Sequence, residues 1–81
     1  MDRMTAMAVF VQVVETASFS EAARRVGLSK SSVSAHVAQL EERLGAQLLH
    51  RTTRRLALTE VGRGFYERSA KIVHEMEEAE L

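Results

Sequence analysis

The sequence predicts a mainly α fold with a small β-hairpin: a winged helix-turn-helix, three helices plus wing, over residues 1–59, then a long C-terminal linker or dimerisation helix over 60–81. Three observations predict it. A helix-turn-helix pattern runs through residues 18–44, a short apolar hairpin pattern with a basic tip occupies 48–58, and apolar residues recur at alternating four and three spacings in the last third of the chain.

The first helix of the motif opens at Ser18, whose hydroxyl can cap the Glu21 amide while the Glu21 carboxylate reaches back, an S-x-x-E capping box. Phe19, Ala22, Ala23 and Val26 give it one apolar face. Gly27 can take the positive φ that ends a helix and Ser29 can cap the next, so Gly27, Leu28 and Ser29 form the turn. In the second helix, Val33, Val37, Leu40 and Leu44 make one buried stripe. Ser31, Ala35, Ala38 and Glu42 lie opposite it, flanked by Ser34 and Gln39. Ser29, Lys30, Ser31, Ser32 and Ser34 offer hydrogen-bonding groups short enough for a helix to sink into a DNA major groove, and the helix start favours nearby phosphate. The ordinary alternative is that these serines only solubilise an exposed helix start.

Before the motif, Met4 to Ala17 reads as a helix. Val9, Val11 and Val13 alternate like a strand, but Met7, Phe10, Val11, Val14 and Ala17 keep helical spacing and Thr5 is available as a cap. Phe10 and Val14 are expected to pack against Phe19 and Leu40. After Gly45, two apolar pieces, Leu48 with Leu49 and Leu56 with Leu58, flank Arg51, Thr52, Thr53, Arg54 and Arg55. A hairpin with an arginine-bearing tip suits the phosphate backbone or a narrow minor groove, although arginines at loop tips are often merely solvated.

Thr59 is placed to cap the last helix. Phe65, Ser69, Ile72, Met76 and Ala79 form a heptad seam, joined by Val73, while Glu75, Glu77, Glu78 and Glu80 cluster towards the end. A seam of this length predicts a dimerisation helix, against the alternative of a helix folded back on its own domain. Gly62 and Gly64 are candidates for a close approach of the wing.

Eighty-one residues support one compact core and leave little room for a large enzyme cleft. The absence of cysteine excludes disulfides and thiolate sites. No apolar run of about 20 residues and no secretory signal pattern occurs, so a cytoplasmic location is expected and no membrane partner. The net charge is zero but segregated: residues 1–58 hold eight Lys or Arg against five Asp or Glu, and residues 59–81 hold three against six. That split fits a surface meeting phosphate at one end and something else at the other. His36, His50 and His74 show no metal-ligand spacing; His36 flanks the second helix within reach of phosphate, and His50 and His74 read as surface or interface residues. No nucleophile motif, cofactor loop or metal cluster is evident, so no cofactor and no enzymatic activity are expected.

The order helix, helix-turn-helix, wing, long helix resembles the N-terminal DNA-binding domain of LysR-type transcriptional regulators. The resemblance is carried by Phe10-Val11-Gln12-Val13-Val14-Glu15, Ser18-Phe19-Ser20-Glu21-Ala22-Ala23, Val33-Ser34, Leu40-Glu41-Glu42-Arg43-Leu44-Gly45, Leu48-Leu49 and Arg51 to Gly62. It implies a dimer on an interrupted palindrome in promoter DNA. Base reading maps onto Lys30, Ser31, Ser34 and Ala35, and a wing arginine entering the minor groove maps onto Arg54. The remaining backbone or minor-groove candidates are Ser18, Ser29, Ser32, His36, Arg51, Thr52, Thr53 and Arg55. Family members often carry Gln-Pro where this chain has Lys30-Ser31, and Arg where it has Ala35, which implies a different sequence preference. The family's small-molecule effector domain is expected to lie beyond this chain, which ends within the linker helix. A winged helix serving as a protein-interaction module, with the seam and the acidic tail docking a partner and the basic face incidental, is the second reading.

Overall fold

The computed structural model describes residues 2–51 and 56–81. Four helices and one antiparallel hairpin follow in the order α1 (Arg3–Thr16), α2 (Phe19–Val26), α3 (Lys30–Leu44), β1 (Leu49–Arg51), β2 (Leu56–Leu58) and α4 (Glu60–Ala79).

Helix α1 is a helix despite its alternating valines, because it is enclosed by α2, α3 and α4 and can bury side chains on more than one face. Val9, Phe10, Val11 and Val13 are all fully buried. Its cap is Asp2 rather than Thr5. The Asp2 carboxylate accepts from the Thr5 amide at 3.1 Å and from the Thr5 hydroxyl at 2.6 Å, so Thr5 is the donor to the cap. Those bonds, the hydroxyl's first, hold the Asp2 carboxyl below the usual carboxylate range. The helix stops at Ala17, which takes a left-handed conformation with φ 56°.

Helix α2 is capped by Ser18, whose Oγ accepts from the Glu21 amide at 3.0 Å. Only this half of the expected capping box forms. The Ser18 amide donates to Thr16 Oγ1 at 3.3 Å, and the Glu21 carboxylate turns to Arg24. Gly27, at φ 73°, closes the helix, with Gly27 and Leu28 amides both donating to the Ala23 carbonyl. Ser29 then caps α3 by accepting from the Ser32 amide at 3.1 Å.

Val33, Val37 and Leu40 of α3 enter the core with Ala6, Val9, Phe10, Val13, Ala22, Ala23, Leu48 and Leu49, and Val14, Phe19, Phe65 and Tyr66 pack against it. Each full burial of a Val, Leu or Phe contributes about 1.5–3 kcal/mol. Leu44 departs from the expected stripe: it is 41% exposed, because the chain turns away at Gly45, φ 68°.

The hairpin pairs Leu49 with Leu58, His50 with Ala57 and Arg51 with Leu56. Leu49 is buried and Leu56 and Leu58 are half-buried, whereas His50 and Ala57 face solvent, so the period-two pattern sets the inner face. Residues 52–55, the expected tip, lie outside the described residues. Thr59 joins hairpin to helix: its Oγ1 accepts from the Gly62 amide at 2.9 Å and donates to the Gln47 carbonyl at 2.6 Å, and its amide donates to the Leu48 carbonyl at 3.0 Å. Helix α4 then runs to Ala79.

Candidate nucleic-acid interface

Burial of Val33, Val37 and Leu40 turns the opposite face of α3 outward. Lys30, Ser31, Ala35, Ala38, Gln39 and Glu42 are exposed there, and Ser32, Ser34 and His36 are half-buried along its flanks. The first two turns thus present a cation, hydroxyls and a methyl group, with nothing bulky to hold the backbone away from a groove wall. Ser29 Oγ lies 3.2 Å from Ser31 Oγ, so one of the two hydroxyls donates a hydrogen bond to the other.

Several expected contact residues also carry structural duties. Ser18 and Ser29 are helix caps. His36 Nδ1 is 2.7 Å from the Ser32 carbonyl; a carbonyl only accepts, so Nδ1 bears the proton and donates it to that bond. Arg51 is tied back to the body, with Nη2 3.3 Å from Glu41 Oε1 and its guanidinium 5.5 Å from the Phe19 ring centroid. It is 44% exposed at its side chain, so part of its charge still faces solvent. Thr52, Thr53, Arg54 and Arg55 lie outside the described residues.

Sequence reasoning missed Glu41. Its side chain is only 15% exposed, and its Oε2 accepts from the backbone amides of Leu48 at 2.9 Å and Leu49 at 3.3 Å while Oε1 meets Arg51. One carboxylate from α3 therefore fastens the root of the hairpin to the helix whose other end carries the exposed serines. Nothing in the spacing marks it, beyond its place beside buried Leu40.

The expected seam of α4 divides. Ser69 and Val73 are buried and Phe65 is half-buried, with the Phe65 ring 5.7 Å from that of Phe10. These three pack within the domain itself, because α4 lies along α1. Ile72 is 44% exposed, Met76 half-buried and Ala79 exposed, and with Met4, Lys71 and Glu75 they line an open apolar groove. His74 is exposed, as expected of a surface residue, and its Nε2 stands 3.6 Å from Glu15 Oε2, which accepts from the Tyr66 hydroxyl at 3.0 Å.

Among the described residues there is no group of three or more His, Cys, Asp or Glu that could hold a metal ion, and no helix long and apolar enough to cross a membrane.

A tri-helical body with a hairpin wing and one outward-facing helix of small polar residues defines a winged helix-turn-helix module. Residues 4–63 match the family of bacterial regulatory helix-turn-helix proteins of the lysR type, and the chain belongs to that family. It is 56% identical over 72 residues to an HTH-type transcriptional regulator of Xanthomonas campestris, covering 89% of this chain and 21% of that protein. It is 51% identical over 74 residues to the HTH-type transcriptional regulator CrgA of Neisseria meningitidis, covering 91% of this chain and 25% of CrgA. The chain thus spans about a quarter of the length of these curated relatives. Among solved structures, the BenM DNA-binding domain in complex with catB site 1 DNA superposes with a TM-score of 0.88 at 33% identity, covering 98% of this chain and 87% of that one. The CbnR DNA-binding domain in its DNA complex gives 0.85 at 28% identity, covering 98% and 90%.

Proposed function

We propose that this chain is the DNA-reading part of a dimeric bacterial transcription regulator that binds double-stranded DNA sequence-specifically. The observation that carries the reading is the outward face of α3: Lys30, Ser31 and Ala35 exposed, Ser34 on the flank, above a fully buried Val33 and Val37. Helix α3 enters the major groove by its first two turns, where Lys30, Ser31, Ser34 and the Ala35 methyl read base edges. Ser32 and His36 meet the adjacent backbone, and the hairpin carrying Arg51, Thr52, Thr53, Arg54 and Arg55 meets phosphate or the minor groove, with Arg54 inserted. The solved DNA complexes of the BenM and CbnR DNA-binding domains, which share this fold, support the reading.

Two copies join through α4, using Ile72, Met76 and Ala79, and place their reading helices about 34 Å apart, or a multiple of that, on an interrupted palindrome. The module does no covalent chemistry and needs no cofactor. Any small-molecule effector acts through a domain beyond this chain.

The test is selection of bound sites from random duplex DNA, followed by mobility-shift titration of the selected and scrambled sites across salt. The expected result is an inverted repeat, bound more tightly than scrambled DNA, with affinity falling as salt rises. A dimeric chain that binds neither DNA at low salt would overturn the reading in favour of a protein-interaction module.

A further inference from the structure

Helix α4 rests on α1 mainly through apolar contacts, Phe65 on Phe10 among them, and such packing selects a class of crossing angle with a scatter of about 15–20° from one helix pair to another, so other contacts settle the angle within that range. Hydrogen bonds are directional. The described residues contain one polar cluster between the two helices: Tyr66 Oη donates to Glu15 Oε2 at 3.0 Å, and His74 Nε2 stands 3.6 Å from the same oxygen. Tyr66 and His74 both face the same carboxylate near the end of α1, and the Tyr66 hydrogen bond is the directional tie between the two helices.

We infer that Glu15 and Tyr66 form an angular clamp that sets the spacing between the two half-sites the dimer selects. They are positioning residues, not DNA contacts, and the inference rests on the dimeric DNA-binding reading above. Gly62, pressed against Leu48, is the pivot. From there to Ala79 the helix extends about 25 Å at 1.5 Å per residue. A swing of about 10° over that lever moves its far end by about 4 Å, more than one base-pair step of about 3.4 Å. A clamp that restrains α4 by a few degrees therefore decides between adjacent spacings, while the half-site sequence is read independently by α3.

The test is competitive selection by the 81-residue chain from a duplex library in which the selected half-site is fixed and the spacer varies by single base pairs. Tyr66→Phe removes one oxygen and leaves the ring in place. It is expected to lower the preference for the selected spacer over its neighbours about three- to fivefold, the worth of one net hydrogen bond, with the half-site sequence unchanged. Glu15→Ala is expected to reproduce the loss, and Glu15→Gln, whose amide oxygen still accepts from Tyr66, to restore the preference. Unchanged spacer ratios in both Tyr66→Phe and Glu15→Ala, with the half-site still selected, overturn the clamp alone. Failure of the unmodified chain to enrich any half-site overturns the DNA-binding reading and the clamp with it.

Discussion

Gly62 and Leu48 meet backbone to backbone: a Cβ added to Gly62 would overlap the Leu48 carbonyl oxygen and stand 2.8 Å from its carbon. That carbonyl already accepts from the Thr59 amide, so it is pinned between the start of α4 and the root of the hairpin and has nowhere to retreat. Gly62→Ala is therefore expected to destabilise the domain by about 3 kcal/mol, as overpacking against backbone does. Gly64, two residues on, meets nothing within 4 Å. Gly64→Ala is expected to stabilise by about 0.8 kcal/mol through helix propensity alone. Chemical denaturation of the two variants checks the contrast, and equal effects would remove the close approach from the account.

Glu41 concentrates three hydrogen bonds on one largely buried carboxylate. Glu41→Ala leaves the Leu48 and Leu49 amides without their acceptor and frees Arg51, for an expected loss of about 2–3 kcal/mol. The DNA consequence is separable from the stability loss. Because the hairpin root is released while α3 keeps its core contacts, the variant is expected to keep its half-site preference and lose affinity for all sites. Denaturation together with site selection checks this, and a changed base preference would count against it.

Ser69 is fully buried on α4, and its Oγ is the one buried side-chain polar atom among the described residues with no hydrogen-bond partner. Replacing it by Ala removes the orphaned group and leaves the helix packing nearly unchanged, so Ser69→Ala is expected to raise stability by about 1 kcal/mol. Thermal melting checks it; a loss of similar size would mean the hydroxyl is satisfied in solution.

Tyr66 is the only tyrosine and the chain has no tryptophan, so absorbance at 295 nm follows its ionisation alone. Burial, then the hydrogen bond to Glu15 and the Glu15 charge, raise its pKa above the ordinary value near 10. The folded state then holds the phenol proton more tightly than the unfolded state does. Stability from this source is complete below about pH 10 and is lost as pH rises through the folded value. The tyrosinate signal is expected to appear at higher pH in the native chain than in urea, and Glu15→Gln is expected to lower the native midpoint.

The order of elements was legible in the sequence because its signals are local. Ser18, Ser29 and Thr59 cap the helices they were expected to cap, Gly27 closes α2 at positive φ, and Leu49, Leu56 and Leu58 mark one face of the hairpin. What escaped depends on the third dimension. Asp2 outcompetes Thr5 as a cap because an ionised carboxylate takes two donors at once. The same four-three spacing in α4 serves two surfaces: a 20-residue helix lying along its own domain must bury one flank, so Phe65, Ser69 and Val73 go inward while Ile72 and Ala79 remain outside. Periodicity measures which residues share a face, not which partner covers it. The long-range polar ties, Glu41 to the hairpin root and Tyr66 to Glu15, have no periodic signature at all.

The proposed division of labour between helix and wing makes opposite demands on salt and sequence. In that proposal Ser34, half-buried on the flank of the exposed face of α3, reads one base edge, and Arg54, which lies outside the described residues, answers phosphate charge or a narrow minor groove. Ser34→Ala is expected to cost on the order of 1 kcal/mol on the selected site and to relax the preference at one base position, leaving the slope of log affinity against log salt unchanged. Arg54→Ala is expected to weaken binding most with A·T-rich flanks and to lower that slope by about one unit, with the half-site sequence retained. Titrations at four or more salt concentrations, on selected and singly altered duplexes, separate the two. A uniform loss in Ser34→Ala across all duplexes reassigns that hydroxyl to phosphate, and an unaltered slope in Arg54→Ala takes the arginine off the DNA.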